Sequence, residues 1–138
     1  MKMPLVLALS SLGLLVAVFS ILGHLQSGLE TAASALIAVV CSLVLARRAP
    51  GRFFLHGFLT GLISGALVTL TQAAFMSVYL AHNPKAAEAF KALPVNIAPA
   101  LLVVATIPFS AGLNGAVTGL LTWLAAKFMR PGPVATSG

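Results

Sequence analysis

Apolar residues in this chain do not alternate with polar ones at the spacing of a surface helix or strand. They run in long uncharged blocks with short polar breaks. The first block, 3–23, has no charged residue. The second, 28–46, opens after Ser27 and holds one charge, Glu30. The third, 53–81, follows the break Arg47-Arg48-Ala49-Pro50-Gly51-Arg52 and closes at His82-Asn83-Pro84. A last apolar stretch follows Asn96 and reaches 129, interrupted by Pro99 and Pro108. A helix needs about 20 mostly apolar residues, rising about 1.5 Å each, to cross about 30 Å of hydrocarbon. Each block meets that length.

Local signals sharpen the boundaries. Ser27-Gly28-Leu29-Glu30 fits a capping box, in which hydroxyl and carboxylate satisfy the first free backbone donors. Asn83 with Pro84 predicts the cap and first position of a short surface helix over 84–92, carrying Lys85, Glu88 and Lys91. Pro108 predicts an interfacial segment over 97–107 followed by a fourth span over 108–129. One continuous kinked helix is the alternative. The first block is longer than the usual secretory h-region of about 7–15 residues and lacks a good cleavage site, so it reads as a retained span. The end beyond Arg130-Pro131-Gly132-Pro133 reads as disordered.

Composition agrees with the pattern. Of 138 residues, 59% are apolar and 7% charged, with a mean hydropathy of +1.06. Soluble domains carry about 25% charged residues, so lipid is the expected medium. The net charge of +6 would point a soluble chain toward nucleic acid. Here the basic residues sit singly or in short clusters between spans, which excludes that partner and instead orients the chain. With the amino terminus inside, Lys2, Arg47, Arg48, Arg52, Lys127 and Arg130 lie on the cytoplasmic side, against Lys85 and Lys91 outside. The expected fold is all-α: an integral membrane four-helix bundle of the bacterial cytoplasmic (inner) membrane, with both termini cytoplasmic.

Helices in lipid associate through close backbone approach and polar contacts. Gly57, Gly61 and Gly65 on the third span, and Ala111, Gly115 and Gly119 on the fourth, have the spacing for close packing. Gln72 falls on the same stripe, and an amide facing lipid is costly. The expectation is that Gln72 or Thr69 bonds to Asn114 or Ser110. Interhelical adhesion is the plain reading of these groups; a polar solute path is the functional one.

Little in the chain suggests catalysis. There is no Asp, and Glu30 and Glu88 are the only carboxylates. A Ser-His-Asp triad is therefore impossible, and no phosphate-cradling Gly-rich loop is present. His24 and His82 could join Glu30 and Glu88 in a metal site, but no i, i+4 pair preorganises them. A lone His56 could ligate a pigment. Cys41, inside an apolar block, reads as a small core residue. No cofactor or metal is expected.

The chain resembles a bacterial membrane family catalogued as domain of unknown function 4199. The similar features are the Ala46-Arg47-Arg48 loop, the run FLHGFLTGLISG that ends at Gly65, the Asn83-Pro84 exit, the short charged helix, and a Gly-bearing last span with a basic end. Lys85 stands where that family usually has an acidic residue. The resemblance implies an architecture and, since the family has no assigned activity, no chemistry. The expected function is a non-enzymatic structural or accessory subunit, associating through Gly-rich helix faces as a homo-oligomer or within a larger membrane complex. A small-solute transporter or channel acting as an oligomer is the alternative, and a lipid or pigment binder the third.

Overall fold

The computed structural model describes residues 2–24 and 27–130, and the described residues contain helices and no strand. In chain order the helices are α1 (Met3–Ser10), α2 (Leu12–Ile21), α3 (Ser27–Arg48), α4 (Phe53–Ala74), α5 (Met76–His82), α6 (Pro84–Lys91) and α7 (Pro99–Met129). Helices α1 and α2 form one apolar rod with a local break at Ser11, whose hydroxyl donates to the Ala8 carbonyl at 2.7 Å. This rod, together with α3, α4 and α7, makes four helices long and apolar enough to cross a membrane.

Helix α4 is the common partner, touching α1, α2, α3 and α7, and its contact with α7 is the most extensive. The two run antiparallel with backbones nearly touching. A methyl carbon on Gly57 would stand 2.6 Å from the Thr118 carbonyl oxygen and 2.8 Å from Gly119 Cα. On Gly65 it would stand 3.0 Å from Ala111 Cα, and on Gly115 and Gly119 it would meet the Phe58 and Phe54 carbonyls at 2.8 and 2.9 Å. Because lipid tails are as apolar as leucine, such contact-distance packing, rather than burial from water, is what holds membrane helices together. Buried hydroxyls add to it. Ser10 Oγ donates to Val6 O and to Thr60 O across the α1–α4 contact, and Ser42 Oγ donates to Ala38 O and to Thr118 O across α3–α7.

The basic end is tied by the last described residue. Arg130 Nη2 donates to the carbonyls of Arg47 and Ala49 at 2.8 and 3.1 Å, and its guanidinium lies over the Phe53 ring. The Lys2 N–H, at the same end, donates to His56 Nε2 at 3.2 Å.

Two expected boundaries differ from those observed. The third block does not form one helix over 53–81: it breaks at Phe75 (φ −108°, ψ 33°), and α5 starts a new turn with Met76 buried. The stretch 97–129 is not an interfacial segment plus a span over 108–129, but the single helix α7 running through Pro108. Proline removes one backbone donor and crowds the carbonyl four residues back. The hydroxyls beside Pro108 do not replace that donor: Thr106 Oγ1 donates to Val103 O and Ser110 Oγ to Thr106 O, whereas the carbonyl four residues before Pro108 is that of Val104. The expected contact of Ser27 and the expected disorder after Arg130-Pro131-Gly132-Pro133 lie outside the described residues.

Outward surfaces are strongly apolar, with Leu36 64%, Leu101 64%, Phe109 77% and Phe128 81% exposed. Apolar surface on this scale suggests association with a lipid bilayer.

The glycine contacts generate a sharp contrast. Gly57→Leu and Gly61→Leu should each lower stability by at least about 2 kcal/mol, because neither facing backbone can retreat. Gly112, by contrast, has open space where its side chain would be. Gly112→Ala should therefore change stability by no more than about 1 kcal/mol, in the stabilising direction. Unfolding of the detergent-solubilised variants, followed by circular dichroism, distinguishes the two classes.

Candidate functional site

At the end opposite Arg130, three helices bring polar side chains together. Ser20 closes α2, Glu30 lies in the first turn of α3, and Gln72 lies in the last turn of α4. Ser20 Oγ donates to Glu30 Oε2 at 2.9 Å, and Gln72 Nε2 donates to Glu30 Oε1 at 2.7 Å. Gln72 Nε2 also lies 3.3 Å from Ser20 Oγ. The positive end of the α3 dipole favours a carboxylate there. Hydrogen bonds to an ionised acceptor are stronger than neutral ones, so this triad joins three elements at one carboxylate.

Asn83 extends the cluster. Its Nδ2 donates to the Ser20 carbonyl at 3.1 Å and to the Tyr79 carbonyl at 2.9 Å. Beside it lies a cavity of about 230 Å³ lined by Gly23, Tyr79, His82, Asn83, Pro84, Lys85 and Ala86. Gly23 is at φ +75°, and a side chain there would stand 2.9 Å from His82 Cβ and from the His82 carbonyl oxygen. Only glycine takes that backbone and that proximity without strain.

The sequence-predicted residues fall into two groups. Gly57, Gly61, Gly65, Ala111, Gly115 and Gly119 all lie in the α4–α7 contact. That contact is within one chain, so these faces are turned to each other and are not free to meet a partner. The expected polar pairing is different from the one observed. Asn114 Nδ2 donates to the Gly61 carbonyl at 2.9 Å, Thr69 Oγ1 to Gly65 O in its own helix, and Ser110 Oγ to Thr106 O and Ile107 O. Gln72 bonds none of them. The reason is register. Four-residue steps from Gly57 to Gly65 along α4 are matched by four-residue steps back from Gly119 to Ala111 along α7. Continued, that register sets Gln72 level with Val104, which has nothing to offer an amide. The α7 segment 99–110 contains no buried residue, and Gln72 turns instead to Ser20 and Glu30.

Other candidates also change role. Asn83 makes no side-chain cap for α6; its amide is spent on Ser20 and Tyr79. His56 is buried with both ring nitrogens engaged. Nδ1 bonds the Arg52 carbonyl at 3.1 Å and Nε2 accepts from Lys2, leaving no lone pair for a pigment metal. The His24, His82, Glu30 and Glu88 grouping does not assemble: among the described residues, no three metal-ligating side chains come together. His82 Nδ1 bonds the Val78 carbonyl instead. Cys41 is buried, its Sγ 3.8 Å from Leu9 O. It borders a small cavity of about 40 Å³ where Ser34, Ser64, Asn114 and Thr118 converge from α3, α4 and α7.

Three contact residues, two at this end and one at the start of α2, were not singled out from the sequence. Ser20 is one of many serines in apolar blocks. Gly13 packs against Ser64 of α4, and Gly23 against α5. A glycine just after a span, where the chain turns, is the one signal that could have marked Gly23.

The fold and site thus define a small all-helical protein with four apolar helices and one polar cluster at an end. Compared with known proteins, the chain matches no family model, no curated protein and no solved structure.

The cluster carries its own test. Gln72→Leu should cost about 1–2 kcal/mol of stability by removing a bond to a carboxylate. Thr69→Val, which loses only an intrahelical bond, should stay within about 0.5 kcal/mol. In a double-mutant cycle with Glu30→Gln, the Gln72 effect should shrink by at least half, as measured by thermal unfolding in detergent.

Proposed function

We propose that the chain is a small integral membrane protein of the bacterial cytoplasmic membrane, without catalysis of its own, acting as a structural or accessory subunit. In this reading the four long helices form a bundle with both termini cytoplasmic, an architecture similar to that of the domain of unknown function 4199. The observation that carries it is the closure of α4 on α7. The glycines are consumed inside the chain, so the surfaces left for a second copy or a larger complex are the apolar outer faces of α3 and α7. These carry Leu36, Val39, Val40 and Leu43 on one, and Leu113, Val117 and Leu120 on the other. The charge distribution supports the orientation: the end holding Lys2, Arg47, Arg48, Arg52 and Arg130 faces the cytoplasm.

A polar route through the helices is the second reading, favoured by Glu30 and Gln72 at one end and by the small polar-lined cavity. The two differ experimentally. In a Cys41→Ser background, a cysteine at the exposed position 50 should react with a membrane-impermeant thiol reagent only in inverted vesicles, and one at position 86 only in intact cells; the reverse pattern overturns the orientation. Extraction in a mild detergent should bring down a stoichiometric partner or a homo-oligomer, which mass spectrometry identifies. A monomer at every detergent level, with solute flux in reconstituted vesicles, would transfer the assignment to transport.

A further inference from the structure

The basic end carries cations that no acidic side chain of the chain neutralises. Arg47, Arg48, Arg52, Lys127 and Arg130 gather there, and the two acidic residues do not. Glu30 is bonded at the opposite end, and Glu88 lies on α6, which follows α5 beyond that same end. The segment 131–138 has no acidic side chain to add. Helix termini of both signs meet here, α4 by its start and α3 and α7 by their ends, so the side chains set the sign of the field.

Within that end lies an open groove of about 520 Å³, lined by Arg52, Phe53, Phe54 and Leu55 at the start of α4 and by Trp123 of α7. Three of the cations belong to it. Arg52 lines it directly, is exposed, and its guanidinium has no hydrogen bond or ion pair with any described residue. Lys127 Nζ stands 5.5 Å from the centre of the Trp123 ring, and Arg130 Cζ stands 4.9 Å from that of Phe53. An aromatic face holds a cation in place without cancelling its charge. The two carbonyls that Arg130 bonds carry no net charge either. The rest of the groove is apolar. Phe54, Leu55 and Trp123 are exposed, and Phe54 stacks on Phe58 with ring centres 6.0 Å apart, which continues an apolar strip along α4 into the span.

We propose that this groove binds an anionic glycerophospholipid, with the phosphodiester among Arg52, Lys127 and Arg130 and an acyl chain along Phe54 and Phe58. Only such a molecule uses both parts. A soluble phosphate would leave the aromatic strip idle, and a lipid without net charge would leave the cations unneutralised. Basic pockets between helices at the cytoplasmic side of a membrane suit anionic headgroups, and tryptophan favours headgroup depth. Arg52 is also the one non-glycine residue at positive φ (48°) among the described residues, a backbone that glycine adopts more readily. The inference rests on the bilayer reading and not on the accessory role.

Trp123 is the only tryptophan in the chain, so its fluorescence reports on this site. The full chain is reconstituted in phosphatidylcholine vesicles containing brominated phosphatidylglycerol or, in a parallel series, brominated phosphatidylcholine, whose bromines quench tryptophan on contact. Expected is saturable quenching by the anionic lipid, with an apparent affinity at least about tenfold above that of the zwitterionic one. Taking this ratio within each variant cancels changes in tryptophan brightness. Arg52→Gly, which also relieves the positive φ, and Lys127→Gln should each lower the ratio at least about threefold. Arg48→Gln removes the same charge from an exposed position outside the groove and should change it by less than about 1.5-fold. An equal loss in Arg48→Gln would mean diffuse attraction to a charged end and overturns the site. So does inorganic phosphate that lowers the ratio more than chloride does at equal ionic strength, because the cations would then serve a soluble anion. If Arg52→Gly does not fold, Lys127→Gln decides by the same criteria. Equal quenching by both lipids overturns the site alone, whereas quenching by neither overturns the bilayer reading together with it.

Discussion

The constraint on which the structure depends is the separation of two backbones. In lipid, a leucine gains little by leaving its surroundings for another leucine, so apolar side chains alone give helices small reason to pair. What remains is dispersion between closely apposed atoms and hydrogen bonds that a low-dielectric medium strengthens. Both need short distances, and a side chain between two helix axes prevents them. Along α4 and α7 the small positions remove that obstacle at three successive levels, and the facing groups are carbonyl oxygens, Cα atoms and threonine hydroxyls. Helix α3 packs against both α7 and α4, and the α1–α2 rod packs against α4, with α2 also meeting α3. Those seams are completed by hydroxyls reaching foreign carbonyls, Ser42 to Thr118 and Ser10 to Thr60. Each hydroxyl also bonds the carbonyl four residues back in its own helix, so no donor is stranded in either arrangement.

The two ends close by opposite chemistry. At the basic end a cation, Arg130, satisfies the carbonyls of Arg47 and Ala49. Those groups belong to the end of α3, where the last carbonyls of a helix lack partners and a positive charge is favoured. At the other end an anion, Glu30, sits at the start of α3, where the first N–H groups point outward. One helix thus has each terminus matched to the charge its dipole prefers, and each charge is also used to hold neighbouring segments.

The spans and the small-residue stripes were legible in the sequence because both are local. A block of uncharged residues and a four-residue repeat are read from one segment without knowing its neighbours. Register was not legible. Thr69, Gln72, Ser110 and Asn114 were rightly seen as groups in need of partners, but which depth of α7 faces which depth of α4 depends on three-dimensional packing that no single segment encodes. Glu30 and Asn83 were read as capping residues because those local roles exist for them; the structure uses both for longer-range contacts, and at Asn83 the cap is not made at all. Pro108 misled for a related reason. Its local rule, that proline ends a helix, was learned in water, whereas a lipid-embedded chain has no solvent to satisfy the groups a break would free.

The register also explains why the polar cluster exists. Above Ala111, α7 no longer supplies a close wall to α4, and the next polar side chain on the α4 stripe, Gln72, meets no complementary group on α7. An amide left facing hydrocarbon would be costly. It is recovered by Glu30 from α3 and by Ser20 from α2. That solution gives the amide NH₂ of Gln72 two acceptors on two other helices. The chain then breaks at Phe75 and α5 brings Tyr79 and Asn83 back toward Ser20. The same departure of α7 that deprives Gln72 of a neighbour thus gathers Ser20, Glu30 and Gln72 into one hydrogen-bonded cluster. A packing requirement in the middle of the protein sets the chemistry at its end.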